Sequence, residues 1–73
     1  TNLENAFILG LRKIKGINKN TFYQFYKKKI NDILIVDKLI MEGKLIDDGE
    51  NIYINKEYIY LSNDILINFI GEV

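Results

Sequence analysis

Apolar side chains at the start of the chain fall at Leu3, Phe7, Leu11 and Ile14. Spacings of four, four and three stack them on one side of a helix. This predicts a helix over residues 3–12 or 13, broken at Gly16. Gly10 interrupts the pattern from within. A glycine inside a helix costs about 1 kcal/mol relative to alanine, so it marks close approach by another backbone or a partner. Arg12 follows on a different face, either as a plain solvated charge or as a contact residue.

Asn18 is placed to cap a second helix over residues 19–28. Phe22, Phe25 and Tyr26 form its stripe, which reads as core. Lys27, Lys28 and Lys29 end it, where cations suit the negative end of the helix dipole; an anion contact is the alternative. Asn31 or Asp32 caps a third helix over residues 33–42, with Val36, Leu39 and Ile40 inward and Ile33 and Ile35 flanking. Gly43 suits the left-handed position that stops it. Residues 44–47 and 52–54 alternate as strands around the turn Asp48-Gly49-Glu50-Asn51, giving a hairpin with Ile52 and Ile54 inward. Asn55 opens a last helix over residues 56–69 or 70, carrying Tyr58, Ile59, Leu61, Ile65, Leu66, Phe69 and Ile70. That stripe is wider than a small core needs. Its surplus is either buried or left as a docking surface.

The order is three helices, a two-stranded hairpin and a closing helix. The expected fold is α+β and winged-helix-like, with the hairpin as the wing. At 73 residues the chain is one domain, and it buries only about 60% of its unfolded surface.

Composition narrows the chemistry. The chain is 48% hydrophobic and 27% charged, which is globular. Cysteine and histidine are both absent, which removes disulfides, thiolate or imidazole metal sites and Cys- or His-based catalysis. That is compatible with the cytoplasm. A net charge of zero lacks the basic footprint of a nucleic-acid binder. The third helix, with Asp32, Asp37 and Glu42 against Lys38, would repel a phosphate backbone. Apolar runs are too short to span a membrane. Asp47 and Asp48 read as solvated turn formers, Ser62 has no base beside it, and the glycines are too dispersed for a phosphate loop. No catalytic constellation is visible. The chain begins at Thr1 and its one methionine is Met41, which predicts a piece of a longer protein or a processed chain.

Leu9-Gly10-Leu11-Arg12, then Gly16-Ile17, then Phe22 and Phe25 stand in one order with Leu39-Ile40-Met41-Glu42-Gly43-Lys44-Leu45-Ile46 and Leu61-Ser62-Asn63-Asp64-Ile65-Leu66 plus Phe69. This combination resembles the C-terminal domain of the oxygen-independent coproporphyrinogen III oxidase family, including its haem-chaperone-like relatives. The match covers about residues 4–69. It departs at Asn55-Lys56-Glu57-Tyr58, where the family often has a Thr-Pro-x-Gly-like entry.

The resemblance implies a parent that is a radical S-adenosylmethionine oxidoreductase. Its barrel would hold a 4Fe-4S cluster through a CxxxCxxC motif and oxidatively decarboxylate porphyrinogen propionates, or bind haem. This chain would hold no cofactor and would not be an enzyme alone. It would be the accessory domain that helps bind substrate or covers the barrel. Leu9, Gly10 and Arg12 would face that barrel, with Arg12 pairing a carboxylate of the barrel or of a tetrapyrrole, coproporphyrinogen or haem. The alternative is a stand-alone protein-interaction module; DNA binding is a third and weaker reading.

Overall fold

In a computed structural model, which describes residues 2–71, helix α1 spans Asn2–Leu11. Phe7 and Leu11 point fully into the core and Leu3 packs beside them. Ile14 does not join them. The helix has already ended, and the turn that follows leaves Ile14 86% exposed.

Gly16 adopts a left-handed conformation, φ 71°, and sends Ile17–Asn18 into a short strand, β1. The expected two-stranded hairpin is therefore a three-stranded antiparallel sheet. β2 (Leu45–Asp47) and β3 (Asn51–Ile54) form the hairpin, and β1 adds to the far side of β3. Ile17 stands opposite Ile52 and Asn18 opposite Asn51. Two residues carry no alternation to read, so tertiary pairing alone defines β1.

Asn18 does cap α2 (Lys19–Tyr26), its Oδ1 accepting from Thr21 N–H at 2.9 Å. The helix stops two residues before the expected end. Lys27 turns left-handed, φ 61°, and its N–H donates to Tyr23 C=O at 2.7 Å. Phe22 is buried and Tyr26 packs against the core, but Phe25, read as part of the stripe, is 77% exposed.

A 3-10 turn, Ile30–Asp32, then inserts buried Ile30 before α3 (Leu34–Met41). Neither Asn31 nor Asp32 caps α3. Ile33 occupies that position without a side-chain bond, and the Asn31 amide reaches Asp47 instead. Val36 and Leu39 are buried as expected, with Ile33, Ile35 and Ile40 flanking them. Gly43 stops the helix at φ 78°: its N–H donates to Ile40 C=O and Lys44 N–H to Leu39 C=O, both at 3.0 Å. This paired closure satisfies two carbonyls that a helix end leaves free.

The closing segment departs most from expectation. It is a 3-10 helix Lys56–Leu61, a short α4 Ser62–Leu66 and a further 3-10 turn Ile67–Phe69. The run Tyr58-Ile59-Tyr60 is β-branched and aromatic, which is weak α-helical material. The Asn68 amide donates to the carbonyls of Asp64 and Ile65 at 3.0 and 3.1 Å, competing with backbone at the end of α4. Ile65, Leu66 and Phe69 enter the core, while Ile59, Leu61 and Ile70 stay exposed. The surplus of the wide stripe is thus surface.

The core holds only hydrocarbon and aromatic side chains; among the described residues no polar group is buried with it. Phe7 stacks on Phe69 at 4.6 Å between ring centroids and meets Phe22 at 5.5 Å, tying the first helix to the end of the chain. The inward side of the hairpin, Leu45, Ile52 and Ile54, closes it against α3.

Candidate functional site

The contact between α1 and the closing segment places Arg12. Ile8 and Arg12 are four positions apart, so both project from one side of the first helical stretch. Opposite them α4 and the turn after it present Asn63, Leu66, Ile67 and Ile70. Together these six line a groove of about 210 Å³. Its rim is apolar and open: Ile67 is 64% exposed and Ile70 is 58% exposed.

Arg12 sits at the polar end of the groove. One guanidinium nitrogen lies 3.5 Å from Asn63 Oδ1, the outer limit of a hydrogen bond, so most of its five donors remain available. Among the described residues the ion pairs are Lys19–Asp47 and Lys44–Glu42, and neither involves Arg12. A planar fork of donors beside exposed hydrocarbon suits a carboxylate carried on an apolar body.

The other two residues expected at this face are placed differently. Leu9 is 65% exposed, three positions before Arg12, but does not line the groove. Gly10 lines a second groove, of about 290 Å³, with Ala6, Ile17, Phe22 and Phe25. A Cβ on Gly10 would come within 2.5 Å of Ile17 Cγ1. The close approach that Gly10 signals is therefore made inside the fold, by β1. Ile8 and Ile67 escaped residue-by-residue reading, while Ile70 was read only as part of the closing apolar stripe and Asn63 only as part of the resembling motif.

Asp47 proves more than a turn former. Its carboxylate accepts from Lys19 Nζ at 2.9 and 3.1 Å, from the Asn31 amide at 2.9 Å and from Gly49 N–H at 2.9 Å. The Lys19 bond, then those of Asn31 and Gly49, hold its pKa below the ordinary 3.8. The result is a latch from the hairpin to α2 and the Ile30–Asp32 turn. A carboxylate so saturated is a poor proton carrier at neutral pH. Asp48 is also lowered, by the N–H groups of Asn51 and Glu50, as an exposed turn residue.

Among the described residues no three His, Cys, Asp or Glu side chains come together as a metal site. No described helix is long and apolar enough to cross a membrane. Set against known protein families, curated proteins and solved structures, the chain matches none.

Proposed function

We propose that this chain is a winged-helix-like accessory domain of a coproporphyrinogen oxidase-like radical S-adenosylmethionine protein, and that it docks on the catalytic barrel through the Arg12 face. The supporting observation is a meeting of motifs. The first and last stretches that carry the family resemblance, around Arg12 and Asn63, are 51 positions apart and share one groove. That groove exposes hydrocarbon the small core does not use. The succession helix, strand, helix, helix, hairpin, with the first strand added to the hairpin, is consistent with a winged helix.

In this reading Leu9, Ile67 and Ile70 supply apolar contact to the barrel. Gly10 keeps α1 close to β1, and Arg12 pairs a carboxylate of the barrel or a propionate of the tetrapyrrole. The 4Fe-4S cluster and S-adenosylmethionine belong to the barrel. Without cysteine this chain offers no thiolate to a cluster. Its own work is to bind, orient and cover.

The test has two parts. The coding sequence upstream of Thr1 should carry an in-frame CxxxCxxC motif, and a start codon immediately before Thr1 would overturn the oxidase assignment. In the full-length protein, Arg12→Ala should raise KM or weaken tetrapyrrole binding about tenfold, the scale of one charged hydrogen bond. Unchanged KM and unchanged affinity would remove Arg12 from the site.

The second reading is a stand-alone protein-interaction module. It is favoured by the large apolar side chains left exposed outside the Arg12 groove, Phe25, Leu34, Met41 and Tyr60 among them. DNA binding has less support, because α3 and its flanks present Asp32, Asp37 and Glu42 to solvent.

A further inference from the structure

A larger groove opens on another side of the molecule, between the turn after α1, strand β3 and the Lys56–Leu61 helix. Its volume is about 630 Å³. Ile14, Tyr53, Ile54 and Ile59 form its floor, with Ile14 86% exposed and Ile59 53% exposed. Lys13, Lys15 and Lys56 stand around it. None of the three belongs to an ion pair among the described residues. Asp48 is the one acid in the lining. The groove shares no lining residue with the Arg12 face, and its occupancy does not depend on the oxidase reading.

We propose that this groove binds an extended peptide segment of a partner protein, one that carries a bulky apolar side chain flanked by aspartates or glutamates. The apolar residue covers Ile14 and Ile59, and the carboxylates meet the three lysines. Charge complementarity selects an acidic partner. The hydrocarbon floor selects a peptide over a nucleic acid, whose phosphates have nothing to place on Ile14. Side chains, not strand pairing, provide the specificity.

The test is fluorescence anisotropy of the full protein with a short labelled peptide in which phenylalanine and leucine alternate with aspartates. Binding is expected, falling as salt rises. The triple variant K13E/K15E/K56E should bind about tenfold or more weakly, since three rim attractions become repulsions. All three lysines are exposed, so an unchanged circular dichroism spectrum is expected to accompany the loss. I14S, at a side chain outside the core, should weaken binding about tenfold through lost apolar contact. No binding of the peptide overturns the proposal. So does equal binding by the triple variant, or by a peptide with asparagine in place of every aspartate. Tighter, lysine-dependent binding to phosphatidylserine vesicles or to duplex DNA would also overturn it, in favour of a lipid or nucleic-acid surface.

Discussion

Replacing Gly16 with alanine probes the joint that makes the sheet three-stranded. Two costs add. The first is conformational: at φ 71° an L-residue pays about 1–2 kcal/mol, offset by about 0.4–1 kcal/mol from a stiffer unfolded chain. The second is steric. A Cβ at Gly16 would overlap the Ile52 carbonyl oxygen and lie 2.7 Å from Tyr53 Cβ. No rotamer change relieves a clash with backbone, so β1 must move off β3. That forfeits the hydrogen bonds between Ile17 and Ile52, about 1 kcal/mol each. The sum is about 3 kcal/mol. For 73 residues the whole stability is about 4–11 kcal/mol. Gly43→Ala is the control, because Gly43 shares the left-handed conformation, φ 78°, but a Cβ there meets nothing within 4 Å. It should lose only about 1 kcal/mol. Thermal unfolding followed by circular dichroism should then show Gly16→Ala lowered by about 12–24 °C and Gly43→Ala by about 4–8 °C. Equal losses for the two variants would refute the reasoning, since the steric part would be absent.

Phe69→Ala should cost about 3–5 kcal/mol and leave little folded protein at 37 °C, because it removes a fully buried ring stacked on Phe7; a cooperative transition near the wild-type midpoint would contradict this. Asp47 has a native pKa below its unfolded value, so its contribution is complete above pH about 4 and is lost as pH falls through the native pKa. Urea midpoints measured from neutral pH downward should therefore fall more steeply on the acid side for wild type than for Asp47→Asn, and parallel curves would dissociate Asp47 from acid sensitivity.

Much of the architecture was readable from local pattern. Asn18 caps α2 because its side chain needs only Thr21, three residues away. Gly43 ends α3 because a left-handed position there demands little beyond glycine. Ile52 and Ile54 face inward because strand alternation is a two-residue rule. Where the local pattern failed, a distant partner intervened. Asn31 is a plausible cap by type, yet its amide is taken by Asp47 across the fold. Phe25 and Ile14 fit helical spacing, but α1 ends before Ile14, and Phe25, though inside α2, stays 77% exposed because no distant element packs over it.

The candidate site divides the same way. Helical spacing placed Arg12 off the core face and flagged Gly10 as a close contact, because both follow from periodicity and from what a missing side chain permits. What approaches Gly10 is Ile17, and only the pairing of β1 with β3 decided that. Local pattern also registered a surplus of hydrocarbon in the closing segment without showing where it goes. The packing of the closing segment decided that, with Ile65, Leu66 and Phe69 in the core and Ile67 and Ile70 left exposed beside Arg12. The sequence by itself determined the first three helices, the hairpin and most of the core, since these depend on residues a few positions apart. Only tertiary structure brought Arg12 to Asn63 and set three lysines around Ile14 and Ile59, because long-range packing joins residues that no local periodicity relates.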